Sequence, residues 1–261
     1  MAKVFLTGDL HSDPRRFSRK AFSDLTKDDL VIILGDFGLM FEETESKTER
    51  YWLDWLENKP FTTLFLDGNH ENFDRLNALP VESHFGGRVH MLRPSVVHLV
   101  RGELYNLNGF KTFVFGGAPS HDIEGPATDE ELARDYTAGV LKKDDPNFKK
   151  KKERLKKQKK DFRVEGVNRW REEFPTEQEF SHGLATLEEN NFSVDLVLTH
   201  DAPETYRKQL NTDVPHSVLN DYFEQLRANL TYKHWFFGHY HRDTMLTDTD
   251  GCLYETVLEL T

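Results

Sequence analysis

Six short runs of branched and aromatic residues recur along the 261-residue chain, separated by longer polar stretches. They are KVFLT (3–7), LVIIL (30–34), TTLFL (62–66), TFVF (112–115), DLVLT (195–199) and HWFF (234–237). Because these runs are continuously apolar and do not alternate with polar residues, they predict strands that are covered on both faces. The C-terminal stretch CLYETVLEL (252–260) predicts one further strand, with mixed facing.

Two of the intervening stretches have a helical pattern. ESKTERYWLDWLENKP (45–60) ends at a proline and places its large apolar residues on one face: Trp52, Leu53, Trp55 and Leu56. TEQEFSHGLATLEENN (176–191) begins with Thr176 three residues before Glu179, which is the spacing of a capping box. This pattern of strands and helices predicts an α/β fold with the strands in a central core and the helices outside.

Composition narrows the class of protein. A chain of this length can form one large domain, or a domain with an insertion, and its net charge of −11 argues against a surface that coats nucleic acid. The single cysteine, Cys252, excludes an intrachain disulfide and fits a reducing compartment. No apolar run approaches the roughly 20 residues that a membrane helix needs, so we expect a cytoplasmic protein without membrane contact.

One segment has the opposite charge to the rest. Residues 142–160, KKDDPNFKKKKERLKKQKK, contain eleven Lys and Arg against three Asp and Glu, a local net charge of +8. We refer to them as the Lys-rich segment. Such a run is most often a solvated, partly helical insertion or a mobile arm. The alternative is an arm that contacts a polyanion or nucleic acid.

Polar residues with ligand chemistry follow five of the predicted strands. In chain order they are Asp9 and His11, Asp36, Asn69 and His70, His200, and His239 and His241. In α/β sheets, the carboxyl ends of the strands are where ligands bind. Glycines beside these residues allow the chain to turn sharply, so that short side chains can converge on one point.

The residue types favour divalent cations. Aspartate and histidine are ligands for hard-to-borderline cations, and asparagine adds a carbonyl oxygen. Seven candidates are more than one ion needs and suit two ions that share one carboxylate: Asp9, His11, Asp36, Asn69, His200, His239 and His241. Each alone is more often a turn, a helix cap or a buried histidine, so the interpretation depends on the ordered set.

The same residues resemble the motifs of the calcineurin-like metallophosphoesterases, which run D-x-H, G-D, G-N-H, H and G-H-x-H. All five are present without substitution between residues 9 and 241. The resemblance implies a four-layer αββα sandwich in which two mixed sheets are flanked by helices. It also implies two divalent metal ions, manganese first, with iron, zinc, nickel or magnesium as alternatives.

The resemblance further implies a role for each motif residue. The first metal would be held by Asp9, His11, Asp36 and His241, and the second by Asp36, Asn69, His200 and His239, with Asp36 shared. His70 would be catalytic, because it would protonate the leaving oxygen. Hydrolysis would proceed by attack of a hydroxide that bridges the metals on a phosphate ester.

A narrower resemblance covers most of the chain. FVFGGAPSHD, NRWREEFPTEQEF, VDLVLTHDAP and KHWFFGHYHRD are similar to stretches in a group of bacterial and phage proteins known only as metallophosphoesterases. Against that group, residues 124–165 look like an enlarged segment. We therefore expect a single domain over 1–261 with a charged insertion at about 124–165.

The sequence leaves several alternatives open. A monoesterase is not distinguished from a cyclic-nucleotide or nucleic-acid phosphodiesterase, and a non-catalytic metal-binding regulator is a weaker alternative because no motif residue is lost. A protein phosphatase is disfavoured, because its Asp-Arg-Gly run is replaced by GDFGLMFEE. Glu71 or Asp74 either orients the site or lies on the surface. Ser120, His121 and Asp122 either line the substrate side or form a plain loop.

Overall fold

The computed structural model of the protein describes residues 2–120 and 139–260. The strands are β1 (Val4–Thr7), β2 (Leu30–Ile33), β3 (Thr62–Phe65), β4 (Val81–His84), β5 (Gly87–Arg93), β6 (Val96–Leu99), β7 (Glu103–Leu107), β8 (Phe110–Phe115), β9 (Val140–Leu141), β10 (Arg163–Val164), β11 (Leu196–Thr199), β12 (His234–Phe237), β13 (Thr244–Met245), β14 (Asp250–Cys252) and β15 (Leu258–Leu260). The α-helices are α1 (Lys47–Glu57), α2 (Phe73–Asn77), α3 (Phe148–Lys157), α4 (Glu177–Glu189), α5 (Glu204–Gln209) and α6 (Val218–Asn229). Short 3₁₀ turns cover Pro14–Ser18, Lys20–Phe22 and Arg171–Glu173.

Two large mixed sheets form the centre of the fold. The first has seven strands in the order β15-β1-β2-β3-β6-β5-β4, and the second has six in the order β13-β14-β12-β11-β8-β7. In the first sheet β1, β2, β3 and β6 are parallel, and in the second β8, β11, β12 and β14 are parallel. With helices on the outer faces, this is the predicted four-layer sandwich.

The inner faces of the two sheets share one apolar core. Leu6, Ile32 and Leu64 enter it from the first sheet. Leu198 and Phe236 enter it from the second. Successive side chains of a strand point to opposite faces, so the residues between these must be covered from outside.

The outer faces are covered by helices. Val31 and Ile33 pack in a second cluster with Leu53 and Leu56 of α1. Trp235 and its neighbours on the second sheet pack in a third cluster that includes residues of α4 and α6. Both faces of the central strands are therefore buried, which confirms the interpretation of the continuous apolar runs.

Both predicted helices are present. Ser46 caps α1 by accepting a hydrogen bond from the backbone of Glu49, and α4 begins with the expected capping box of Thr176 and Glu179. The strands β4 to β7 and the helix α6 were not predicted from the sequence. All four residues of β4 are exposed, so this strand lacks the apolar run that marks a buried one.

The predicted C-terminal strand was wrong as a single element. Cys252 ends β14 in the second sheet, whereas Leu258 begins β15, which pairs with β1 in the first. The Asp243 carboxylate accepts hydrogen bonds from the backbone N–H groups of Tyr254 and Thr256 at 2.8 and 3.1 Å. These bonds hold a bend that sends the chain from one sheet to the other.

The Lys-rich segment is partly helical, in agreement with the more common interpretation of such runs. Its helix α3 packs beside the two-stranded parallel sheet of β9 and β10. Leu141, Leu155 and Val164 form a small apolar cluster there, and most lysines of the segment are exposed. Among residues 2–120 and 139–260, no helix has the length and apolar character to cross a membrane.

Candidate metal centre

The ligand candidates come from five strand ends that meet between the two sheets. Asp9 follows β1, Asp36 follows β2 and His200 follows β11, and these three buried residues bring potential ligand atoms within 4.8 Å of one another. The same spacing is found in the group of Asp9, His11 and His241, and in the group of His11, Asp36 and His70. The two sheets therefore close on a single cluster.

Backbone groups fix the two buried carboxylates. Oδ1 of Asp9 accepts a hydrogen bond from the backbone N–H of His239 at 2.9 Å. Oδ1 of Asp36 accepts one from the backbone N–H of His70, also at 2.9 Å. The Oδ2 atoms of both carboxylates lie 3.7 Å from Nε2 of His11. Each aspartate thus has one oxygen held by the protein and the other directed at an imidazole.

His200 is held with one nitrogen facing oxygen atoms. Its Nδ1 donates to the carbonyl of Leu34 at 2.7 Å, so Nε2 of the neutral ring carries the lone pair. Nε2 lies 3.4 Å from Oδ1 of Asp36 and 3.4 Å from Oδ1 of Asn69. With the ring neutral, as in a metal ligand, Nε2 and the two oxygen atoms would be three acceptors that face one another, an arrangement that a shared cation would stabilise.

The mouth of the cluster is formed by imidazoles. Nε2 of His11 and Nε2 of His241 are 2.8 Å apart, and the His70 ring packs edge-on against His11 with 5.1 Å between centroids. The buried Oδ2 of Asp9 accepts no well-oriented hydrogen bond from the described residues and lies 3.1 Å from Nε2 of His241. The carboxylate oxygen and imidazole nitrogen atoms of this cluster are suitable ligands for divalent cations.

The cluster concentrates charge. Burial opposes protonation of His200, but the carboxylates of Asp36 and Asp9 outweigh it and raise its pKa to about 10. Burial also opposes ionisation of Asp36, but the neighbouring imidazoles, His200 first, hold the pKa of its carboxyl well below the usual range. Asp36 is therefore ionised at neutral pH, as a metal ligand must be.

Four residues of the cluster have a strained backbone. The φ angles of His11, Asp36, His239 and His241 are +45°, +46°, +67° and +49°, in the left-handed region. Such conformations are uncommon for residues other than glycine, cost of order 1–3 kcal/mol each, and gather at functional sites. Eleven described residues other than glycine have a positive φ, and four of them are ligand candidates, so this strain is concentrated at the candidate metal centre.

Two glycines let the carboxylates approach the backbone. A Cβ on Gly68 would lie 2.1 Å from Oδ1 of Asp36, and a Cβ on Gly238 would lie 2.3 Å from Oδ1 of Asp9. Real Cβ atoms do not tolerate such contacts. The glycines of the G-N-H and G-H-x-H motifs are therefore required, because each packs closely against a carboxylate that follows another strand.

The profile of the calcineurin-like phosphoesterase family matches residues 2–243. The chain belongs to this family. Membership implies metal-dependent hydrolysis of phosphate esters, and the clusters of Asp and His offer ligands for divalent metals. Comparison with curated proteins gives no match.

Glu71 supports the centre of this calcineurin-like phosphoesterase from behind. It is buried, and its two carboxylate oxygens accept hydrogen bonds from the backbone N–H groups of Phe37 and Gly38 at 2.7 and 3.2 Å. Burial raises the pKa of Glu71 well above its ordinary value. Of the two alternatives for this residue, the surface position is wrong, because Glu71 holds the loop that follows Asp36.

Asp74 and Ser120 contact the segment before α4 and not the metal cluster. Oδ2 of Asp74 accepts a hydrogen bond from Nε1 of Trp170 at 2.9 Å. The hydroxyl of Ser120 donates to Oε2 of the buried Glu173 at 3.0 Å. Ser120 is thus fixed by a structural bond, whereas His121 and Asp122 lie outside the described residues.

Some supporting residues had no role in the sequence-based prediction. Arg16 donates through Nη2 to the carbonyl of Asp9 at 2.7 Å and through Nη1 to Oγ1 of Thr7 at 2.9 Å, so it clamps the first motif. Tyr240 donates its hydroxyl to the buried Asp201, the neighbour of His200. The acidic residue beside His200 in the sequence, Asp201, could have indicated a supporting role. No sequence pattern indicated that Arg16 would hold the first motif.

Among the described residues, one cavity beside the candidate metal centre and a second one on its other side have only His11 in common. The first, which we name the His70 cavity, measures about 450 Å³ and is lined by His11, His70, Phe41, Trp52, Glu42 and Glu49, among others. The second, the arginine cavity, measures about 480 Å³ and contains Arg15, Arg16, Arg19 and Tyr254 together with Asp13 and Glu255. The phosphoesterase centre therefore lies between two surfaces of different chemistry.

Proposed function

We propose that the protein hydrolyses a phosphate ester at a centre of two divalent cations that share Asp36. Asp9, His11 and His241 would complete the first set of ligands. Asn69, His200 and His239 would complete the second. The observation that carries the proposal is the convergence of buried carboxylates from the first sheet with imidazoles from the second.

The choice of metal follows from the donor atoms. Carboxylate oxygens, an amide oxygen and imidazole nitrogens suit manganese, with iron, zinc, nickel or magnesium as alternatives. When bound, the cations would supply Lewis-acid stabilisation of the phosphoryl oxygens and would lower the pKa of an attacking water. The thiol of Cys252 is buried, and burial raises its pKa, so it does not compete as a soft ligand.

His70 would act on the leaving group. Its backbone N–H is bonded to Asp36, which fixes the residue beside the cluster, and its ring lines the His70 cavity. An imidazolium in that position would donate a proton to the departing oxygen. Glu71 would act only by positioning, because it holds the loop of Asp36 through backbone bonds.

Contact with a polyanion through the Lys-rich segment is a second, accessory candidate. The exposed lysines of α3 give this part of the surface a strong positive charge: Lys149, Lys150, Lys156 and Lys157. Such a surface would bind nucleic acid with a marked dependence on salt. Measuring the binding of a single-stranded oligonucleotide at two salt concentrations would test this candidate independently of hydrolysis.

We further propose that residues 1–261 form one domain with an insertion at 124–165. The family match ends at residue 243, but β15 pairs with β1, so the tail completes the first sheet. A cytoplasmic location is the companion proposal, supported by the single buried cysteine.

The main proposal is tested by Asp36→Asn, with Asp29→Asn as its matched control. Both aspartates flank β2 and are buried, but Asp29 lies at the opposite end and accepts bonds from the backbone of Lys3 and Thr26. With manganese added, Asp36→Asn should lower kcat/KM for an aryl phosphate by well beyond the roughly 10–100-fold that an outer-shell partner contributes. Its circular dichroism should stay native.

Asp29→Asn should keep bound metal and hydrolysis, even if its melting temperature falls. Full activity of Asp36→Asn, at unchanged metal content, would contradict a centre built around this carboxylate. The same assay should compare an aryl monoester with an aryl diester, with manganese, iron, zinc or no metal added.

A further inference from the structure

The position of His70 indicates on which side of the candidate metal centre the leaving group of a substrate would lie. This residue lines the His70 cavity and is absent from the lining of the arginine cavity. A group that protonates the leaving oxygen must lie beside that oxygen. With His70 as the proposed proton donor, the leaving group would occupy the His70 cavity, and the arginine cavity would face whatever remains attached to phosphorus.

The two cavities also differ in charge. The His70 cavity is lined by Glu42 and Glu49, and Glu49 is neutralised by a bidentate pair with Arg75 at 2.8 and 2.7 Å. Its other lining groups include the rings of Phe41 and Trp52. An aromatic or otherwise uncharged leaving group suits these walls, whereas an anionic one would meet the exposed carboxylate of Glu42.

The arginine cavity has three guanidinium groups. Arg16 is fixed in its wall by the bonds to Asp9 and Thr7, so it supplies charge. Arg15 is exposed and held in a defined orientation by Asp13, with 2.7 Å from its Nε to Oδ1. The guanidinium of the exposed Arg19 forms no ion pair or hydrogen bond with residues 2–120 and 139–260.

The acidic residues that line this cavity are too few to cancel the positive charge of its arginines. Asp13 and the exposed Glu255 are the two acidic residues of the lining, against three arginines. Asp13 is already paired with Arg15. Tyr254 adds an aromatic wall, and its ring stacks on His241 with 4.7 Å between centroids. The cavity thus combines guanidinium donors with an aromatic face directly beside the centre.

We propose that the arginine cavity binds a second phosphate, carried by the part of the substrate that stays attached to phosphorus. The proposal rests on the proposed phosphoesterase function and names its substrate class, a phosphodiester with an anionic group on the retained side. A monoester has no second substituent on phosphorus to enter this cavity. Guanidinium groups match phosphate oxygens in geometry and charge.

The test uses two substrates that differ by one phosphate. Thymidine 5′-(4-nitrophenyl phosphate) and its 3′-phosphorylated form contain the same scissile ester and release the same nitrophenol. We expect kcat/KM to be about 10-fold higher for the 3′-phosphorylated diester, through a lower KM, because the added group binds away from the reacting atoms. The preference should shrink as ionic strength rises.

Arg15→Gln combined with Arg19→Gln should reduce this ratio to about one. Lys208→Gln combined with Lys233→Gln removes the same charge from the exposed surface near the second sheet and should leave the ratio as in the natural protein. Equal rates for the two diesters, or a ratio unaffected by the arginine substitutions, would overturn the cavity assignment and leave the proposed function intact. A protein that hydrolyses no ester with any metal would overturn the proposed function, and the substrate assignment with it.

Discussion

The metal cluster and the Lys-rich segment are both rich in ionisable side chains, but they use them differently. In the cluster, Asp9, Asp36 and His200 come from three strands of two sheets and are almost completely buried. In the Lys-rich segment, the charges are neighbours in the sequence, on α3 and directly beside it, and most of them face solvent, while Leu155 is buried. Charged residues that are neighbours in the sequence lie side by side on a surface. Charged residues that the fold brings together from separate strands form a site.

The largest effect is expected from removal of one of the buried charged side chains of the metal cluster. Asp9→Asn replaces the carboxylate that faces His241 and His11, and we expect loss of bound metal and a fall in kcat/KM of more than about 100-fold. Metal content by mass spectrometry and hydrolysis of an aryl phosphate measure both effects. Asp195→Asn, before β11 at the opposite end of the second sheet, is the control. Normal metal content in Asp9→Asn would remove Asp9 from the ligand set.

A smaller effect is expected at Glu71, which holds the loop of Asp36 and is not itself a ligand candidate. Glu71→Gln keeps the shape of the side chain but leaves only one oxygen to accept the backbone N–H groups of Phe37 and Gly38. We expect metal affinity to fall by about 10–100-fold, as for other outer-shell partners. A titration with manganese measures it. If affinity is unchanged, the two backbone bonds do not position Asp36.

In the Lys-rich segment the sensitive residue is apolar. Leu155→Ala removes a fully buried side chain from the small cluster with Leu141 and Val164. Substitutions of this kind cost about 2–5 kcal/mol, and here the loss should be local. Hydrogen exchange should show loss of protection in 140–164 and little change in β1 or β11. Uniform loss across the chain would show that the segment unfolds together with the sheets.

The smallest effect is expected from the charges of that segment. Replacing the exposed Lys149 or Lys150 by Gln should change the free energy of unfolding by no more than about 0.5 kcal/mol, because neither side chain is buried. Thermal unfolding measures this. A large loss would mean that these lysines are structurally paired, and the contrast with the metal cluster would weaken.

Much of the fold could be predicted from local pattern. The six apolar runs became β1, β2, β3, β8, β11 and β12, because a strand buried on both faces must be apolar throughout. The strands β4, β5 and β7 were missed because exposed or half-buried positions interrupt their apolar runs. The strand β6 was also missed, although it is fully buried, because His98 interrupts its short apolar run. The tail 252–260 was misread because the side chain of Asp243, which lies outside it, bends it between the sheets.

The sequence by itself determined which residue types follow each central strand, and thereby the family and the candidate ligands. That information is local: an apolar run, a glycine and then an acid, amide or imidazole. Only the tertiary structure decided that Glu71 holds the loop of Asp36, that Arg16 clamps Asp9, and that Arg19 shares a cavity with Tyr254. The first and third relations join residues far apart along the chain, and the second joins residues seven positions apart through a side chain whose direction no local pattern gives. All three are fixed only when the sheets and the segments around them pack.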